Sequence, residues 1–257
     1  MSRLMKTLPL TLALAALSIF ATSCGSSNAP AQVRFVHAIQ DAGALDINVI
    51  GTNNANNTTP QFADISFLGV MPNQPGYTSV PSGSDTFKAL AVGTTTQVFS
   101  DSVGWGADAH YTAIATGFSY TGIIKGSNVV LLSIPDNIPT PPSGDVEFRV
   151  IHAAPSGPSA VDVYIELNPN TGPGLPITIQ GLAYTQASKY YAFVLNPNNA
   201  TIPPGFTIYV TAAGTTSQIF SYPINLSTAG SARTLVLTDV QGGTTMNTSF
   251  LELSDLN

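Results

Sequence analysis

With 257 residues the chain is long enough for one large or two ordinary domains that bury their own cores, so stability needs neither a metal nor a disulfide. Charged residues make up only 9% of it, and Ser, Thr, Asn, Gly and Pro supply the polarity instead; few Lys, Glu or Arg remain for helix faces, which favours an all-β chain. The net charge is −6, and the absence of a basic patch or of basic residues interleaved with aromatics speaks against nucleic acid as a partner.

In chain order, the first predicted element is a targeting segment. Arg3 and Lys6 form a basic start, and the apolar stretch from Leu8 to Ala21 is shorter than a membrane span, which predicts a signal peptide over 1–23. Cys24, in ATSCGSS, is the single cysteine, so no internal disulfide is available. Ala21-Thr22-Ser23-Cys24 resembles the lipobox of bacterial lipoproteins, whose cysteine sulfur receives a diacylglycerol and becomes the new N-terminus. The resemblance implies lipidation at Cys24, and Gly25 after it implies passage to the outer membrane or the cell surface. Ordinary cleavage near NAPA at 28–31 is the alternative, and it leaves Cys24 without a role. Processing at Cys24 removes two of the eight basic residues and leaves six against fourteen acidic ones, a charge of −8.

Residues 24–31 read as a flexible tether. Strand signals then recur about every ten residues, at 33–38, 44–50, 64–70, 77–80, 85–92, 95–101, 110–117 and 128–134, with no amphipathic helical stretch between them. The same series returns: VRFVHAIQDAGALDINV at 33–49 as FRVIHAAPSGPSAVDVY at 148–164, VPSG at 80–83 as IPPG at 202–205, GTTTQVFS at 93–100 as GTTSQIFS at 214–221, and NVVLLSIPD at 128–136 as NTSFLELSD at 247–255. The offset drifts from 115 to 122 and back to 119, so the length changes fall between the matched blocks. Two copies of this length are tandem domains rather than solenoid repeats. The expected fold is therefore all-β, two tandem immunoglobulin-like β-sandwiches over 32–138 and 145–257, with a barrel as the alternative. PTPPSG at 139–144, which resists both helix and ladder, is the expected linker.

HAAPSGPSAVDVY at 152–164 followed by IPPGFTIYVTAAGT at 202–215 resembles the bacterial family catalogued as domain of unknown function 4397, found in secreted and envelope proteins and often in tandem. The resemblance covers roughly 32–257. It implies export and tandem β domains, and it brings no catalytic residue.

The repeated polar residues are the candidates for chemistry. Arg34 and His37 are three apart, as are Arg149 and His152, so on regular strands each pair points to opposite faces. His37 shares parity with Val33 and Phe35, and His152 with Phe148 and Val150, which places both His with the core and favours a structural, hydrogen-bonded role over that of a ligand or catalyst. Asp46 and Asp162 take the outward faces of the next strands. If each strand pair is a hairpin, Arg34 opposes Asp46 and Arg149 opposes Asp162 as exposed cross-strand ion pairs.

Other constellations are weaker. GWGADA at 104–109 matches a dinucleotide pattern but runs into a strand, so it reads as a turn. Three widely spaced His and no second Cys predict no metal site and no cofactor. Asp41 and Asp136 read as solvated loop charges, with calcium binding as the lesser alternative. Trp105, the only Trp, either plugs a crease between the domains or stacks on a sugar or protein ligand; the loops at 51–61 and 168–176, which differ most between the copies, are where binding would diversify.

The function expected from these features is a lipid-anchored cell-envelope protein with a non-catalytic binding, adhesion or spacer role. It would be held to the membrane by its N-terminal lipid, with a glycan or a surface protein as partner. The alternative is an envelope hydrolase acting on a polysaccharide, which would need carboxylates such as Asp46 and Asp64 to converge in a cleft.

Overall fold

The structure is a computed structural model that describes residues 29–51, 58–119, 129–166, 178–195, 205–224, 228–240 and 248–256. The proposed signal peptide, Cys24, and most of the loops at 51–61 and 168–176 lie outside the described residues. Among those described there is no helix.

The first unit contains β1 (Ala31–Ile39), β2 (Leu45–Ile50), β3 (Phe62–Ile65), β4 (Val70–Met71), β5 (Thr78–Val80), β6 (Gly83–Ala91), β7 (Gln97–Trp105), β8 (His110–Gly117) and β9 (Val130–Pro135). One sheet has the order β4-β1-β8-β9, with β5 also pairing β1, and the other has the order β3-β2-β6-β7. The second unit contains β10 (Asp145–His152), β11 (Ala160–Glu166), β12 (Ile179–Ala183), β13 (Tyr191–Val194), β14 (Phe206–Ala212), β15 (Gln218–Ile224), β16 (Ala232–Asp239) and β17 (Thr248–Leu256). Its sheets, β13-β10-β16-β17 and β12-β11-β14-β15, repeat the arrangement. In both units the first strand pairs in parallel with the eighth-strand equivalent, β1 with β8 and β10 with β16, and the remaining ladders are antiparallel.

Alternation decides what each sandwich buries. Val33, Phe35, Ile39, Leu45, Ile47, Phe87, Phe99 and Ala113 meet in the first core, and Val146, Phe148, Val150, Val161, Val163, Ile208 and Leu235 in the second. The opposite faces of β1 and β10 are not solvated, however. Val36, Ala38, Ile114 and Leu132 from the first unit form a third cluster with Ile151, Ala153, Val236 and Leu253 from the second. The two sheets that carry β1 and β10 are thus buried on both faces, which is why β1 and β10 are buried along almost their whole length.

The expected hairpin does not form. β1 and β2 belong to different sheets, as do β10 and β11, so the connection between them is an arch over the end of the sandwich. Register alternation predicts faces correctly within a strand but is silent on which sheet the next strand joins.

Candidate functional site

The repeated Arg and Asp residues separate into two sites. Arg34 and Arg149 lie on the inter-unit face, where their side chains are only 1% and 3% exposed. Arg34 donates through Nε to Thr112 Oγ1 on the neighbouring parallel strand at 2.7 Å, and through Nη2 to Asp255 Oδ1 of the other unit at 2.5 Å. Its Nη1 donates to the Ser254 carbonyl at 3.2 Å. Arg149 repeats the set in reverse: Nε to Thr234 Oγ1 at 2.7 Å, Nη1 to the Pro135 carbonyl at 3.1 Å, and Nη2 to Asp136 of the first unit. Each guanidinium also lies over a ring of its own unit, Arg34 at 5.5 Å from the centroid of Tyr77 and Arg149 at 5.0 Å from that of Tyr190.

The carboxylates are fully engaged. Asp136 accepts from Thr112 Oγ1 at 2.7 Å and from the Tyr77 hydroxyl at 2.8 Å, and Asp255 accepts from Thr234 Oγ1 at 2.7 Å and from the Tyr190 hydroxyl at 3.0 Å. Arg34 Nε also lies 3.5 Å from Asp136, which joins both halves into one network. Burial opposes the charge of Arg34, but the adjacent Asp255 and Asp136 outweigh it, so its pKa lies above the ordinary value. Burial raises both tyrosine hydroxyls, against the opposing pull of the neighbouring Arg. The network is neutral as a set: two guanidiniums, two carboxylates, and four hydroxyls that stay protonated.

Asp136 is therefore no solvated loop charge; its side chain is wholly buried at the end of β9. Nor does Arg34 meet Asp46, or Arg149 meet Asp162. Asp46 lies on the other sheet, where Oδ1 accepts the Asp64 amide at 2.9 Å and Oδ2 the Gly93 amide at 3.2 Å. Asp162 does the same for the Gly181 and Gly214 amides, both at 2.7 Å. In each unit the register shifts in the ladder beside the Asp, and the amides it holds belong to residues with positive φ: Asp64 and Gly93, Gly181 and Gly214. The Asp is a clamp for a bulge on one side and a hairpin turn on the other. Asp64 does approach Asp46, as the hydrolase alternative needs, but by its backbone amide, and both Asp46 oxygens hold backbone N–H groups.

The His residues close the arches. His37 is fully buried, with Nε2 3.0 Å from the Gly43 carbonyl and Nδ1 accepting the Ile39 amide at 3.2 Å. His152 mirrors it with the Pro158 carbonyl at 2.9 Å and the Ala154 amide at 3.4 Å. This pattern requires the neutral tautomer protonated on Nε2. Burial lowers both pKa values, only partly opposed by the carbonyl bonds. Since the unfolded imidazoles take up protons first, stability falls as pH drops below the ordinary value of 6.5. Urea midpoints at pH 7.5 and pH 5.5 are expected to differ more in the native chain than in His37→Gln/His152→Gln. Buried Asp85, Glu147 and Asp239, whose pKa values are raised, act in the opposite sense in both chains, so the comparison isolates the imidazoles.

Trp105 serves neither of its expected roles. It is 2% exposed within the first unit's own core, and Nε1 donates to Ser133 Oγ at 2.9 Å, so no ring face is offered to a sugar and no inter-unit crease is plugged. Among the described residues no group of His, Cys, Asp and Glu is placed to hold a metal.

One cleft adjoins the network, with a volume of about 350 Å³, lined by Pro135, Asn137, Pro139, Arg149, Ser188, Lys189 and Tyr190. It exists because the pseudo-symmetry is broken there. Six residues separate Val70, paired with β1, from Tyr77, but only two separate Ala187, bridged to β10, from Tyr190. The longer loop carries Gln74, whose amide accepts from the Ser254 N–H and donates to the Glu252 carbonyl at 3.4 Å, filling the equivalent space on β17. The strand bordering the cleft offers Pro135 in place of Ser254, with no N–H for such a bond.

The sequence profile of the family described as Domain of unknown function (DUF4397) matches residues 31–164, just over half the chain. The chain belongs to the DUF4397 family. The match begins at the first residue of β1 and ends within β11, so it takes in the whole first unit of this DUF4397 protein, and β10 and most of β11 of the second. No curated protein matches the chain. Among solved structures it is similar to a family 26 carbohydrate-binding module of Eubacterium rectale Amy13K in complex with maltoheptaose, at 11% identity, covering 86% of this chain and 96% of that one with a TM-score of 0.22. It is also similar to two candidate cell adhesion proteins. The one from Bacteroides fragilis has 6% identity, with 88% and 97% covered, and the one from Bacteroides ovatus has 11% identity, with 90% and 99% covered; each has a TM-score of 0.22.

Proposed function

We propose that this protein is an exported envelope lipoprotein, anchored through Cys24, in which two DUF4397 copies, 32–138 and 145–257 joined by 139–144, form one non-catalytic binding or adhesion module at the outer membrane or cell surface. The observation that carries this reading is the use made of the repeated polar residues: Arg, Asp and His of both copies are committed to strand, arch and inter-unit contacts, and Arg149, which also borders the cleft, is bonded to Thr234, Asp136 and the Pro135 carbonyl. The seat for a ligand is the cleft beside Arg149, where Asn137 and the exposed Lys189 offer hydrogen bonds beside the Tyr190 ring. Such a mixture of a few polar groups and a ring suits a glycan or a surface peptide.

Two measurements test it. Cys24→Ala should move the protein from the membrane fraction to the soluble one, because the thioether-linked lipid is the anchor; unchanged fractionation would remove the lipoprotein reading. The released Cys24→Ala chain, screened on glycan arrays and against envelope extracts, should bind a partner that Asn137→Ala/Lys189→Ala binds at least tenfold more weakly. Turnover of a polysaccharide by the same chain would overturn the non-catalytic role.

A further inference from the structure

The geometry points to the inter-unit face as a homotypic pairing surface: each unit carries, on one face, the central charged and apolar complement to a second copy of itself, so the fitting partner is the same unit from another chain. Each unit contributes one donor set and one acceptor set. The first offers Arg34 with Thr112 and Tyr77, and receives on Asp136 and the Pro135 carbonyl; the second offers Arg149 with Thr234 and Tyr190, and receives on Asp255 and the Ser254 carbonyl. Arg reaches across to the other unit's Asp in both directions, which is the reciprocal contact of a two-fold interface.

The apolar part obeys the same rule. Val36 of β1 occupies the place of Ile151 on β10, two residues after the Arg, and Ile114 of β8 occupies the place of Val236 on β16, two residues after the Thr. Each unit therefore presents one Val and one Ile on these strands and one Ala at the equivalent place, Ala38 on β1 or Ala153 just after β10. Pairing first unit with first unit, or second with second, keeps the charges and the side-chain volume on these strands, and changes only the rim, where Gln74 would meet Pro135 instead of Ser254. Volume-conserving exchanges of this kind are the ones packed cores tolerate. The chain is thus a dimer whose two halves are covalently joined, and its pairing faces are closed on each other.

The test uses the full chain carrying Cys24→Ala. Exchanging the charges of one unit, Arg34→Asp/Asp136→Arg, sets the introduced carboxylate against Asp255 and the introduced guanidinium against Arg149 within the chain, but leaves first-unit faces complementary to each other and second-unit faces likewise. Light scattering after gel filtration should find the mass of two chains, and adding Arg149→Asp/Asp255→Arg should restore the mass of one. A folded, single-chain Arg34→Asp/Asp136→Arg variant overturns the proposal. Should that variant fail to unfold cooperatively, the native charges decide: a protease site placed within 139–144 is cut, and native mass spectrometry of the nicked chain reads the pairs after prolonged exchange. First-first and second-second pairs beside the first-second pair support homotypic pairing. First-second pairs alone, or separated halves, refute it.

Discussion

Truncating Arg149 to Ala is expected to destabilise the protein by about 3–5 kcal/mol, the usual cost of leaving a buried charge without its partner. Asp136 would keep Thr112, Tyr77 and the more distant Arg34 Nε at 3.5 Å but lose its closest guanidinium, and the Pro135 carbonyl would lose its donor. Arg34→Ala should act similarly through Asp255 and the Ser254 carbonyl. Arg149→Met/Asp136→Leu, which removes both charges and keeps apolar volume, should cost less than Arg149→Ala alone. Urea denaturation reads all three; a loss under 1 kcal/mol for Arg149→Ala would mean that the pair is hydrated as an exposed surface pair is.

Asp162→Ala should also be severe, at about 3 kcal/mol or more, because two charge-assisted bonds of about 1.5–3 kcal/mol each disappear from a side chain that is wholly buried. Asp162→Asn should recover part of the loss, since one amide oxygen still accepts while its NH2 group faces an N–H. Asp46→Ala, at the more exposed equivalent with a 3.2 Å bond to Gly93, should cost less than Asp162→Ala. Hydrogen exchange at the Gly181 and Gly214 amides gives an independent reading: both should lose protection in Asp162→Ala, and equal protection in the two chains would show that the carboxylate is not their acceptor.

Strands and repeats were legible in the residues because alternation and turn chemistry are local. The β1 signal at 33–38 lies inside Ala31–Ile39, the 110–117 signal coincides with His110–Gly117, and the 44–50 signal is one residue longer than Leu45–Ile50. The Arg partners were not legible by the same means, since a short polar connection after Ile39 fits either a hairpin within one sheet or an arch between two. Two signals did carry the answer. Arg34 shares its face with Val36 and Ala38, and an outward face that turns apolar after its one cation must be covered by something. Asp136 and Asp255 also end the last matched block of the two copies, repeating as faithfully as the Arg residues they serve. The clamp role of Asp46 and Asp162 depends on bulges that no spacing rule announces, and the cleft depends on a four-residue difference between loops.

The bond from Arg34 to Asp255 joins residues 221 apart, from the first strand of one sandwich to the last strand of the other. Contacts of such separation form late, because the loop-closure entropy of the whole intervening chain precedes any gain from them. A chain emerging N-terminus first can complete the first sandwich, yet Val36, Ala38, Ile114 and Leu132 stay wet and Arg34 lacks its distant carboxylate until β17 has been delivered. During that interval the first unit is sticky, and crowding several nascent copies together would favour mispairing between them. Only once β17 is in place does Arg34 meet Asp255 and Leu253 complete the cluster between the units, so a chain interrupted before β17 keeps part of that face open to water.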